Sequence, residues 1–368
     1  MKFIIPRLDL LNLIAKIQAV VPAKPALPIL SNVLLEAQND QLIISATDLT
    51  VSMRAYANAK IEEEGSITLP AKKFFQLIRE LTAPQVEIHA ATPESAHINA
   101  GSSHFKMSGM HKSEFPTLPD LNGGISLTLE NSMLKELLVR SSFAAARDDN
   151  RQVLNGILLQ HRQKTATFIG TDGKRLARIF TEVDIADDQT GSYVLPLKAA
   201  EEMIKLLEGK DQKSTVTFLE DKIGIESGSV TMISKLLIGQ YPDVDRVIPK
   251  KSAAPIALHR EELMSLLRQV SLFTSDQSSA VRFTFAPGEL HLTAMSGDIG
   301  EGKVSMAVNY GGPTLDIAFN PHYFLDILRH SKDENIHLSI SDAYNPGLIT
   351  DSTNAYFVLM PMRLDVKA

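Results

Sequence analysis

Apolar residues recur three and four positions apart in six stretches, at 7–21, 71–81, 131–142, 197–208, 259–273 and 321–332. That period predicts six amphipathic helices. Between them, runs such as "LIISA" (42–46), "VEIHAA" (86–91) and "STVTFLE" (214–220) alternate or stay apolar, as antiparallel strands with one buried face do. The pattern then repeats. "GSITLPAKKFFQLIREL" begins at Gly65, and "GSYVLPLKAAEEMIKLLEG" begins at Gly191. "LDIAFNPHYFLDILRHS" sets Pro321 about as far beyond Pro196. Each reads as strand, proline, helix, and proline in a first turn removes an N–H that had no helical partner. Thr47-Asp48 returns as Thr171-Asp172 in "ATFIGTDGKRLARIFT". Each repeat also opens with a strand and a helix: "KFIIPRLDLLNLIAKI", "ISLTLENSMLKELLVRSSF" and "APIALHREELMSLLRQVSLF". Asn131 and His259 stand at the N-cap positions, and only Asn131 has the usual capping chemistry. The expected fold is α+β, with three tandem domains at 1–122, 123–250 and 251–368, each of two helices packed on antiparallel sheets. Linkers rich in Gly, Pro, Ser and Lys fall near 121–124 and 249–255.

Composition narrows the class. The 368 residues are 44% hydrophobic and 22% charged, with no cysteine. Disulfides and thiolate metal sites are excluded. No apolar run is long enough to span a bilayer. Pro6, Arg7 and Asp9 interrupt any signal-peptide core at the N-terminus. A cytoplasmic protein without membrane contact is expected. The net charge of −6 argues against a uniformly basic nucleic-acid binder. Yet the six helices carry thirteen Lys and Arg against nine Asp and Glu. Two readings stay open from charge alone: solvated helix faces, or a basic set that attracts phosphates.

Catalytic patterns are scarce. There is no G-x-S-x-G, and the ten histidines form no H-x-x-x-H pair. "GTDGKRL" (170–176) lacks the glycine spacing and following Ser/Thr of a phosphate loop. "RDDN" (147–150) reads more simply as a polar loop than as a Mg²⁺ carboxylate pair. No cofactor and no metal are expected, and a binding protein fits better than an enzyme. The rival is a repeat-built enzyme acting on a phosphate substrate through Asp148, Asp149 and Asp172. One further stretch needs explaining. "YFVLMPMRL" (356–364) either closes the last sheet or lines an adaptable surface pocket, since Met is flexible and polarizable.

"KPALPILSNVLLEA" (24–37), "ATDL" (46–49), "LPAKKFF" (69–75), "EFPTLPD" (114–120), "LNGILL" (154–159), "TDGKRLA" (171–177), "YPDVDRVIP" (241–249), "FNPHYFLDIL" (319–328) and "MPMRL" (360–364) run in order along the whole chain. Together they resemble the bacterial DNA polymerase III beta subunit family, the sliding clamps. The resemblance implies a non-catalytic homodimeric ring, each chain one half, that encircles double-stranded DNA without reading its sequence. It implies tethering of the polymerase alpha subunit, the clamp loader and other proteins carrying a clamp-binding motif.

Residue by residue, it implies a peptide pocket at Leu154, Thr171, Gly173, Lys174, Arg175 and Leu176. Pro242, Arg246, Val247, Asn320, Tyr323 and Val358 would continue it, with Met360, Pro361, Met362, Arg363 and Leu364 from the C-terminal run. It implies DNA contacts at Lys24, Lys72, Lys73, Arg79, Arg151 and Lys198, and a subunit contact at Phe105, Met107, Leu272 and Phe273. The chain departs from the family at Lys174, where some members carry histidine, and at Ser278, where some carry a bulkier aromatic. The acidic run near 298–304 is thin, with only Asp298 and Glu301, and "DVKA" extends past Leu364.

Overall fold

The computed structural model describes residues 1–184, 190–209, 212–249, 254–274 and 279–363. Leu364, Ser278 and the last four residues lie outside these ranges. Six α-helices occur among the described residues: α1 (Arg7–Ile17), α2 (Ala71–Glu80), α3 (Asn131–Ser142), α4 (Leu197–Leu206), α5 (Arg260–Ser271) and α6 (Pro321–His330). α1 stops four residues short of the periodic stretch. Val21 precedes Pro22, and the proline ring pushes its predecessor out of helical geometry.

Capping is the reverse of expectation. The His259 side chain accepts from the Glu262 N–H at 3.2 Å and caps α5. The Asn131 side chain instead accepts from Ser214 Oγ and donates to Glu208 O, both at 2.6 Å.

The chain forms two compact units, Met1–Lys135 with Lys198–Leu236, and Glu136–Leu197 with Leu237–Ala368. The first holds an eight-stranded antiparallel sheet in the order Ile125–Glu130, Lys213–Phe218, Lys222–Ser227, Val230–Lys235, Val51–Asn58, Gln41–Thr47, Asn32–Gln38 and Gly65–Pro70. A five-stranded sheet ends on the edge strand Ser103–Ser108. α1 and α2 pack together, with Phe3, Ile5, Leu10, Ile14, Phe74 and Ile78 fully buried.

The second unit holds the matching eight strands: Gly191–Pro196, Gly156–Arg162, Thr165–Thr171, Arg175–Glu182, Ala355–Leu359, Gly347–Thr350, Asn335–Ser339 and Ile256–His259. Its four-stranded sheet ends on the edge strand Gly300–Ala307. Phe283 lies in stacked contact with Phe324 at 5.2 Å and edge-on to Phe319 at 5.3 Å. Burying such a side chain stabilises by about 1.5–3 kcal/mol.

Arg140, one of the thirteen basic helix residues, is a core residue. It is 4% exposed, and its Nη2 donates to the fully buried Asp351 carboxylate at 2.6 Å. Nε donates to His330 O and Nη1 to Thr353 Oγ1, both at 2.8 Å. The basic set available to a partner is smaller by that residue. Asp351→Ala, which leaves the buried guanidinium only the partly exposed Glu136 carboxylate at 3.2 Å as a charge partner, should lower the unfolding free energy by about 3 kcal/mol, the low end for a broken buried pair. Replacing both, with Arg140→Met and Asp351→Leu, should lose far less. Urea unfolding followed by circular dichroism compares the two, and equal losses would contradict this account.

Candidate functional site

The turn 172–174 joins the strands Thr165–Thr171 and Arg175–Glu182. Thr171 Oγ1 donates to Arg175 O at 2.6 Å and accepts from Gly173 N–H at 3.0 Å. Asp172 Oδ1 accepts from the N–H groups of Lys174 and Arg175 at 2.9 and 3.0 Å. Gly173 has φ +83°, and a Cβ there would sit 3.1 Å from Arg151 Nη2. The left-handed backbone favours glycine, and a larger side chain would also have to displace the overlying Arg151 guanidinium.

Beside this turn lies an apolar cavity of about 110 Å³. Buried Leu154, Leu176, Val244 and Val358 form its floor. Leu176 faces Val358 across the strand pairing, which fixes both on one face. Pro242, Val247 and Met360 form the rim, with Thr171, Gly173, Asp243, Arg151 and Arg175 completing the wall. Met360 is held where it is because its N–H donates to Lys174 O at 2.9 Å. The floor belongs to a cluster with Tyr241, Ile169, Leu158 and Leu348, so the core and the site share side chains.

Two arginines give the cavity its polarity. Arg151 donates through Nε and Nη2 to the two oxygens of Asp149, each at 3.0 Å. That pairing, with the Arg151 N–H, lowers the Asp149 carboxyl to about 2. The pair therefore persists above the ordinary carboxylate range and is lost only as pH falls through about 2. Arg175 Nε and Nη1 donate to Asp172 at 3.2 Å and Asp326 at 2.6 Å. Arg175 also lines a second, polar cavity of about 320 Å³, with Lys174, Tyr323, Phe143, Asp148, Asp149 and Asp172 among its walls.

Of the expected pocket residues, the apolar cavity gathers Leu154, Thr171, Gly173, Arg175, Leu176, Pro242, Val247, Val358 and Met360. Lys174 and Tyr323 belong to the polar cavity next to it. Arg246 lines neither; its side chain is 84% exposed and donates to Asp243 at 2.9 Å. Asn320 caps α6 by accepting from the His322 and Tyr323 N–H groups. Pro361, Met362 and Arg363 line neither cavity, and the Met362 N–H donates to Ala318 O at 2.8 Å. Asp243 and Val244 were missed, although the apolar residue inside "YPDV" was a readable signal. Arg151, expected among DNA contacts, stands in the cavity wall.

The other basic candidates lie in the first unit. Lys72, Lys73 and Arg79 are exposed on α2, and Lys24 is exposed after α1. Lys198, half exposed, donates to Asp48. Burial pushes the Asp48 carboxyl up, but the Lys198 bond and the Val51 and Thr50 N–H groups outweigh it, leaving it below the usual value. Phe105, 40% exposed, and Met107 lie on the edge strand Ser103–Ser108. Leu272, 72% exposed, and Phe273 follow α5, and the Phe273 ring covers Gly302 on the edge strand Gly300–Ala307. Two of the three carboxylates of the enzyme reading are engaged, Asp149 by Arg151 and Asp172 by its own turn. Among the described residues no three metal-ligating side chains cluster, and no helix is long and apolar enough to cross a membrane.

Three family models match in sequence: the DNA polymerase III beta subunit N-terminal domain at residues 1–119, central domain at 128–243 and C-terminal domain at 245–363. A beta sliding clamp of Chlamydia trachomatis is 51% identical over 364 residues, covering 99% of this chain and 87% of that protein. The crystal structure of the DNA polymerase III subunit beta from Pseudomonas aeruginosa superposes with TM-score 0.96 at 30% identity, covering 99% of this chain and 100% of that one. A P. aeruginosa sliding clamp bound to griselimycin superposes with TM-score 0.94, at the same identity and coverage.

Gly173→Ala should destabilise by about 1–3 kcal/mol, the usual cost of a side chain in left-handed backbone. Gly173→Asn, which tolerates that region better, should lose less. Urea midpoints decide, and an unchanged midpoint for the alanine variant would mean the turn relaxes freely.

Proposed function

The chain belongs to the DNA polymerase III beta subunit family, the sliding clamps, and we propose that two copies close head to tail into a ring around duplex DNA. It is a processivity clamp and not a catalytic subunit. The edge strand carrying Phe105 and Met107 and the one covered by Phe273 each have one unpaired side, and both patches are apolar. Joining them buries both edges, and a contact between unlike surfaces that closes after two copies gives a ring. The exposed Lys72, Lys73 and Arg79, with Lys24 and Lys198, then attract phosphates without reading bases. Lys198 does so in competition with Asp48. The working location is the bacterial cytoplasm, where the DNA is.

The observation that carries the partner reading is the apolar cavity walled by Arg151 and Arg175. Its hydrophobic floor accepts a leucine or phenylalanine anchor, Met360 adjusts to different anchors, and the arginines receive carbonyl or carboxylate oxygens. A short motif containing Gln, Leu and Phe, from the polymerase alpha subunit, the clamp loader or other clamp-binding proteins, is the proposed occupant. Lys174 sets a positive charge beside it where some family members have histidine, which favours acidic flanking residues.

The ring and the peptide site are tested separately. The protein loaded on nicked circular DNA should be retained until the circle is linearised, and Leu272→Asp with Phe273→Asp should give monomers in sedimentation that are never retained. Direct affinity for DNA should be weak, with each neutralised phosphate adding roughly −0.9 to the log–log salt slope. A tenfold preference between duplex sequences would contradict the sequence-blind reading. Separately, Val247→Asp and Met360→Ala, both at the exposed rim, should each weaken calorimetric binding of such a peptide by about 2 kcal/mol or more. Wild-type affinity in both would mean the cavity is only a gap above the core.

A further inference from the structure

Asp326, on α6, lines neither cavity, yet it holds one of the two arginines in the cavity wall. Arg175 is 12% exposed. Its guanidinium lies 4.6 Å from the Tyr323 ring centroid and 5.5 Å from that of Phe143. Contact with ring faces disposes the guanidinium plane but leaves rotation within that plane open. Carboxylates remove that freedom. Asp172 Oδ2 receives Nε at 3.2 Å, and Asp326 Oδ2 receives Nη1 at 2.6 Å, a short charge-assisted bond. Asp172 belongs to the same turn and moves with Arg175. Asp326 is the only one of the two on another element, so it supplies the outside reference. Its second oxygen, Oδ1, accepts from Arg329 Nη1 at 2.7 Å. Nη2 of Arg175 takes no partner among the described residues.

We propose that Asp326 is a positioning residue for partner binding: it locks Arg175 so that the Nη2 edge is kept for a carbonyl or carboxylate oxygen of the docked peptide. This rests on the reading of the cavity as a peptide site. A long arginine side chain otherwise surrenders considerable rotamer freedom on binding, and orienting it beforehand lowers that cost. Asp326 acts through Arg175 alone and touches no ligand.

A double-mutant cycle tests the role, because residues that act through one another are non-additive. The probe is a fluorescein-labelled peptide containing Gln, Leu and Phe, read by anisotropy on the full chain. Asp326→Asn should weaken binding by about fivefold or more, and Asp326→Glu should recover most of it. In an Arg175→Ala background, Asp326→Asn should add nothing. Arg329→Gln, which removes the other partner of the same carboxylate, should leave affinity unchanged. Circular dichroism confirms folding, and Asp326→Ser serves as the second variant should asparagine disturb α6. The same factor lost in both backgrounds, or no loss in the wild-type background, overturns the proposal. A wild type that does not bind, or a Val247→Asp variant that binds as tightly as wild type, instead overturns the cavity reading and this inference with it.

Discussion

Two antiparallel strand pairings hold the rest in place: Val51–Asn58 with Val230–Lys235, and Arg175–Glu182 with Ala355–Leu359. Each joins the sheet of one sequence repeat to a sheet of the next. An open edge invites wrong partners, and here the following repeat occupies it. The compact units therefore cut across the middle repeat, whose strands divide between the two eight-stranded sheets. The second pairing also makes the cavity. Its register sets Leu176 opposite Val358 and Arg175 opposite Leu359. A slip of one residue would turn Val358 to the other face, and with it the floor and the rim position of Met360.

Burial separates two arginines with similar bonding. Arg140 and Arg175 each pair with a carboxylate at 2.6 Å, and each lies about 5.5 Å from a phenylalanine ring. Arg140 is surrounded by the core, and its ordering serves the fold. Arg175 stands at the edge of the same core and lines both cavities, where ordering would serve the proposed ligand. Because the cavity floor is itself core, changes at Leu154, Leu176 or Val358 confound folding with binding. The rim residues Val247 and Met360 separate the two.

The sequence period revealed the six helices and the repeat because amphipathic spacing is local and strong. It overran α1 because the stop comes from Pro22 rather than from loss of apolar residues. The N-cap position of His259 was readable, but not that its side chain would cap, since imidazole caps seldom and Asn131 offered better chemistry. That asparagine is used instead to tie Ser214 and Glu208 together, a contact between distant segments that no local pattern announces. "YFVLMPMRL" proved divided. Phe357, Val358 and Leu359 are core, Met360 is rim, and Met362 extends the chain along Ala318. Alternation cannot mark that division, because the strand ends within an unbroken apolar run. The place of Arg151 in the cavity wall was not legible either. The family resemblance named it as a DNA contact, and only the fold brings it over Gly173.

One turn appears twice and does different work. Thr47 Oγ1 donates to Val51 O and accepts from Leu49 N–H, and Asp48 Oδ1 accepts from the Thr50 and Val51 N–H groups, as Thr171 and Asp172 do in their turn. The backbone is left-handed at the same place, but Leu49 occupies it at φ +76° where the other turn has Gly173. Leucine there bears the strain that glycine avoids. The free aspartate oxygen meets Lys198 in one unit and Arg175 in the other. With Val51 in place of Arg175, the first turn offers no oriented guanidinium. The repeat supplies the scaffold, and Gly173 with Arg175 gives one copy of it the features of the proposed site.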